Sequence, residues 1–209
     1  MRHRTQPVTR GSGQNKARIT AVAALLLLSG CASGPVHGPV TPEGKRHVVS
    51  EPLTPQQQNQ LALARQAGAA KNWALAQARL TSLIDARPDV GWLKARLGWI
   101  QQHQGQITQA IASYQQALTQ SPADVFTVNN LAVLLQQQDR FEEAGAVLET
   151  GLAHAPGAAE LHFNLAVLCE LYLLELPKAL AHYRRYQELA GDGDERVAGW
   201  IADLERRVN

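Results

Sequence analysis

Residue types that carry chemistry are scarce in this chain. Only two cysteines, Cys31 and Cys169, occur in 209 residues, which excludes a disulfide framework. There is no H-E-x-x-H, no G-x-S-x-G, no C-x-x-C and no phosphate-cradling glycine loop, and Gly11-Ser12-Gly13 lies in the basic N-terminal leader. His154 and His162 stand eight apart with no third ligand nearby in the sequence, so a metal centre is not expected. Glu142-Glu143 and Arg184-Arg185 read as solvated helix faces. These absences point away from an enzyme, and no cofactor or small-molecule substrate is expected.

Long apolar runs are missing too. The greasiest stretch, Ile19 to Leu28, would rise only about 15 Å as a helix, half of a ~30 Å hydrocarbon core. The first 30 residues hold five basic side chains and no acidic one, and the remainder carries fifteen basic against eighteen acidic. That mildly acidic remainder lacks the clustered positive charge that nucleic acid requires. Basic residues, a short apolar run and small residues before a break are the pattern of a secretory signal. The 32–53 stretch is rich in Gly, Pro and Ser without apolar periodicity, as a flexible tether would be.

What the chain does contain is a period. Pro88, Pro122 and Pro156 are 34 residues apart, and the same step links Ala76, Ala110 and Ala144, and Leu63, Leu97, Leu131 and Leu165. A fixed step of this length predicts stacked helix–turn–helix units. Thr54-Pro55-Gln56-Gln57 reads as an N-cap, a proline at the first helical position and a capping-box Gln. Units are expected at about 57–90, 91–124, 125–158 and 159–192. In the fourth, Ala179, Tyr183 and Tyr186 lie one residue late, so its turn at Leu174-Glu175-Leu176-Pro177 has gained a residue. A final helix over 193–209 puts Val197, Trp200, Ile201, Leu204 and Val208 on one face and closes the array. Cys169 falls on the apolar side of a predicted helix and reads as a small buried hydrophobe.

Leu97-Gly98, Gly105, Ile107, Ala110, Tyr114, Ala117-Leu118 and Pro122 recur in register with Leu131-Ala132, Asp139, Phe141, Ala144, Leu148, Gly151-Leu152 and Pro156. This pattern resembles the tetratricopeptide repeat (TPR). The resemblance implies an all-α TPR solenoid of about four repeats over 54–190 plus a C-terminal capping helix. It also implies a concave groove lined by the first helix of each unit. In this register the groove receives Leu61 and Arg65, then Trp92, Ala95, Trp99, Gln102 and His103. Phe126, Asn129, Val133, Gln136 and Gln137 follow, then Glu160, Asn164, Val167 and Glu170. Trp92, Trp99, Phe126, Asn129, Val133 and Asn164 are the peptide-groove candidates, because rings supply apolar area and amides pair with peptide backbone. Each aromatic candidate has helix packing as its alternative role. Glu160 and Glu170 make an acidic peptide terminus an unsuitable ligand.

Leu28-Ser29-Gly30-Cys31 resembles the lipobox of bacterial lipoproteins. That resemblance implies a signal peptide over 1–30, cleavage before Cys31, and lipidation of Cys31 with diacylglycerol and a further acyl group such as palmitate. With Cys31 so used, Cys169 has no disulfide partner. Ala32 after the lipidated cysteine implies the outer membrane, facing the periplasm. The architecture is similar to the small TPR lipoproteins of pilus biogenesis in Tad/Flp and type IV systems, some of which assist a secretin. The expected partners are therefore proteins, secretin or pilus components among them. The other reading is an adaptor docking peptidoglycan hydrolases or synthases.

Overall fold

A computed structural model describes residues 52–191 and 194–208. The signal peptide, Cys31 and most of the tether lie outside the described residues. The described chain is helical throughout and lies within one unit, His37–Asn209. Its helices are α1 (Pro55–Ala69), α2 (Trp73–Ala86), α3 (Gly91–His103), α4 (Ile107–Gln120), α5 (Val125–Gln136), α6 (Phe141–His154), α7 (Ala159–Leu168), α8 (Leu176–Ala190) and α9 (Glu195–Val208). Each packs against the next along the chain, pairwise within a unit and then unit upon unit.

The helix ends obey the period. The second helices of units one to three start at Trp73, Ile107 and Phe141 and stop at Ala86, Gln120 and His154, two residues before Pro88, Pro122 and Pro156. A proline cannot continue a helix, and it pushes the residue before it out of the helical region. At the other end of the array, the Thr54 side chain accepts from the Gln57 backbone at 3.3 Å while Gln57 Oε1 accepts from Thr54 N at 3.0 Å. This reciprocal pair satisfies two of the donors that α1 leaves orphaned.

Small residues set the helix crossings. Ala76, Ala110, Ala144 and Ala179 are each fully buried, one per unit. A Cβ added at Gly98 would come within 3.0 Å of the Tyr114 ring, so α3 and α4 cross as closely as they do only because that side chain is absent. Tyr114, Leu148 and Tyr183 fill the layers between, all buried. Burial pushes the hydroxyls of Tyr114 and Tyr183 far above the ordinary phenolic range, so both stay neutral.

The turns within units share one backbone device. Lys71, Gly105, Asp139 and Leu174 all take positive φ, between 56° and 74°. Only Gly105 does so without a steric cost. The residue gained in unit four is absorbed by a single π turn, Cys169–Leu173, in which Leu174 N donates to Cys169 O and Glu175 N donates to the same carbonyl at 2.8 Å. Cys169 sits inside this turn, fully buried, and burial raises its thiol pKa to about 11.

The last helix covers the end of the stack. Val197, Ile201 and Leu204 are buried, and Trp200 lies with its ring centroid 5.6 Å from Tyr183 and 6.1 Å from Phe163. Trp200 and Val208 keep a solvent edge.

Candidate functional site

The first helices do not line one uniform groove. Trp92 is 9% exposed and Phe126 is 1% exposed, so both belong to the core rather than to an open binding surface. Phe126 meets the Tyr114 ring edge-on at 6.5 Å, and the Arg96 guanidinium lies 5.2 Å from the Trp92 ring centroid. The reason is positional. Trp92 and Phe126 are the second residues of α3 and α5, and each ring packs against the preceding unit.

Trp99 is half-buried and belongs to an aromatic group with Trp73, at 5.7 Å and edge-on, and with His103, at 4.0 Å. His103 Nδ1 donates to the Trp99 carbonyl at 2.8 Å, which holds the imidazole over the indole. Asn129 is buried, and its side-chain oxygen accepts from Asn164 Nδ2. This bond between the two amides bridges units three and four. Val133 and Val167 stay partly exposed beside them. Glu170 is held by Tyr183, whose hydroxyl donates at 3.1 Å, and by Arg207 at 3.2 Å.

Among the described residues there are several open spaces, and the most enclosed of them lies at the other end. A cavity of about 110 Å³ opens between α1 and α3 and reaches down to Leu80 of α2. Leu61, Ala64, Arg65, Gly68 and Ala69 of α1 and Arg96, Trp99 and Ile100 of α3 line it. It exists because α1 presents only small residues at 64, 68 and 69, where a larger side chain would close the gap to α3. Apolar walls with two guanidinium groups suit an apolar side chain carried by a chain segment of negative charge. Leu61, Arg65 and Trp99 were in the predicted groove set, whereas Ala64, Gly68, Ala69 and Arg96 were not. The run of small residues was the available signal.

Two further features were hidden in the sequence. His162 and His182, twenty residues apart, meet Nδ1 to Nδ1 at 2.9 Å. His162 Nε2 faces the Pro156 carbonyl at 3.1 Å and so donates, which leaves its Nδ1 to accept from His182 when both are neutral. The second is an exposed apolar cluster of Leu171, Tyr172 and Leu174 at the π turn, with Tyr172 stacked on Phe141 at 4.4 Å and 19°. Among the described residues no group of three or more His, Cys, Asp or Glu is placed to hold a metal, and no helix is long and apolar enough to cross a membrane.

Comparison with protein families finds two matches to the tetratricopeptide repeat, over residues 61–125 and 102–167. Comparison with curated proteins finds no match. Several solved structures share the fold. MamA (41-end) from Desulfovibrio magneticus RS-1 has a TM-score of 0.61 at 13% identity, covering 75% of this chain and 87% of that one. For pilF of Pseudomonas aeruginosa the TM-score is 0.59 at 21% identity, covering 72% of this chain and 68% of that one. The first TPR of Spaghetti (RPAP3), bound to HSP90 peptide SRMEEVD, gives 0.50 at 16% identity, covering 57% and 93%. Helix ends in register, alanines at every crossing and two overlapping family matches converge: residues 61–167 are tetratricopeptide repeats, and the described chain has the fold of a tetratricopeptide-repeat protein.

Proposed function

We propose that this protein is a non-enzymatic scaffold that gathers protein partners at the outer membrane, held there by lipid on Cys31, and that it assists assembly of a pilus or secretin-type machine. The TPR fold is a scaffold for protein–protein contacts. The observation that carries the site is the open cavity between α1 and α3, with Leu61 and Trp99 as apolar walls and Arg65 and Arg96 beside it. A partner inserts an apolar side chain there, and an adjacent carboxylate approaches the guanidinium groups. The pilus role is supported by the likeness in architecture to pilus-biogenesis TPR lipoproteins and by the fold shared with pilF. The HSP90 peptide bound to Spaghetti is a short acidic segment; Glu160 and Glu170 disfavour such a ligand in the fourth unit, whereas Arg65 and Arg96 suit one at the first.

The test is a crosslinked pull-down from solubilised envelopes, comparing wild type with an Arg65→Glu/Leu61→Gln variant of confirmed fold. Capture of a secretin or pilus component by wild type, lost in the variant, supports both role and site. Capture dominated by peptidoglycan hydrolases or synthases replaces the pilus role with the adaptor role. Capture unchanged by the variant removes the cavity as the site. The anchor has its own check: Cys31→Ala should leave the protein unlipidated, and normal outer-membrane fractionation of that variant would refute it.

A further inference from the structure

The turn of unit four departs from the other three in a way that needs a reason. The left-handed residue is Lys71, Gly105 and Asp139 in units one to three, and Leu174 in unit four. A bulky apolar residue at positive φ is a steric outlier, tolerated only where the surroundings hold it. Here it gains nothing from burial. Leu174 is 74% exposed, and Leu171 and Tyr172 beside it are 54% and 48% exposed. Strain and apolar exposure coincide at the one turn that carries an extra residue.

Charge is divided between the two halves of the array. From 54 to 123 the chain carries six basic and two acidic residues, and from 124 to 208 seven basic and fourteen acidic. The Leu174 cluster lies in the acidic half, with Glu170 and Glu175 close along the chain and Glu142 and Glu143 next to Phe141, on which Tyr172 stacks. Arg140, Lys178 and Arg207 offset three of them. The cavity lies in the basic half and is lined by Arg65 and Arg96. One end therefore presents an apolar knob in an acidic setting and the other an apolar hole in a basic one.

We infer that the occupant of the cavity is the Leu174 knob of a second copy of this chain, so that the scaffold associates head to tail. This rests on the reading of the cavity as a protein-docking site. The hole suits one branched aliphatic side chain: about 110 Å³ is somewhat less than the ~150 Å³ of an apolar cavity known to hold benzene. Opposite net charge on the two halves orients the encounter, and the strained turn holds Leu174 outward before contact. A knob and a hole on different parts of one surface make a heterologous contact, so copies add in a row instead of stopping at a pair.

Sedimentation of the purified full chain over a range of concentrations tests this. Wild type at low salt should gain mass with concentration beyond that of a dimer, and 0.5 M salt should weaken the gain. Leu174→Asn suits the left-handed turn and so keeps the fold, and it should weaken association about tenfold or more. Arg65→Glu, on the exposed rim of the hole, should weaken it as well. The decisive arm mixes these two variants. One keeps a sound knob and the other a sound hole, so the mixture should form dimers that neither forms alone and that grow no further. Monomeric wild type at every concentration overturns the inference, as does association that both substitutions leave unchanged. Either result leaves the cavity's role in partner capture to the pull-down, where a wild-type monomer can still lose its partners on Arg65→Glu/Leu61→Gln.

Discussion

Arg207 of the last helix reaches Glu170 of the π turn, Nη1 to Oε1 at 3.2 Å, and the Tyr183 hydroxyl donates to the same carboxylate at 3.1 Å. The closing helix thus covers the apolar end of unit four and also neutralises a carboxylate that the groove would otherwise present. Arg207 is also 3.4 Å from Asp203 on its own helix, so the guanidinium is shared.

The two contributions of α9 should separate on mutation. The ion pair is largely exposed on the arginine side, so Arg207→Ala should cost less than ~1 kcal/mol. Deleting 194–209 uncovers the faces now packed on Val197, Ile201 and Leu204, and should produce aggregation. A monodisperse truncation of unchanged thermal midpoint would show that α9 is not a cap.

Ala110 and Ala144 are fully buried at the crossings of units two and three. Replacing either with leucine should overpack the crossing and cost roughly 1–3 kcal/mol. Thermal denaturation reads this as a fall of about 2–4 °C per kcal/mol for a chain of this size. Midpoints equal to wild type in both variants would mean that the register is misplaced.

Leu174→Asn should stabilise the isolated chain by up to about 1 kcal/mol, because asparagine takes the left-handed region more readily and an exposed leucine has little burial to lose. Chemical denaturation at a concentration where wild type is monomeric measures it. A loss of stability would mean that the leucine is held by packing within its own chain.

The His162–His182 pair, which joins α7 to α8, should make unit four acid-sensitive. Burial lowers the His182 pKa, the nearby His162 and Lys178 lower it further, and Glu149 opposes them. The unfolded chain therefore takes up a proton at higher pH than the folded one. This stability is fully present above the unfolded histidine value of about 6.5 and is lost as pH falls below it. Wild type should lose more thermal stability between pH 7 and pH 5 than His182→Gln, and parallel curves for the two proteins would refute the assignment.

Helix ends, turns and crossings were legible in the sequence because each depends on a few neighbouring residues repeated at a fixed step. Proline after a helix, an alanine at each crossing and the capping box at Thr54 act locally, and the one-residue lag of Ala179, Tyr183 and Tyr186 announced the π turn without naming it. Whether a ring on a first helix faces solvent or the preceding unit is not a local matter. Trp92 and Phe126 share a repeat position, and both are buried where one unit packs on the next. Packing of unit one on unit two left a cavity over Ala64, Gly68 and Ala69, and packing within unit four brought His162 against His182 across two helices. The 34-residue step by itself determined the repeating path of the backbone. The packing angle between units decided which side chains that path leaves exposed, since it sums contacts from several helices at once.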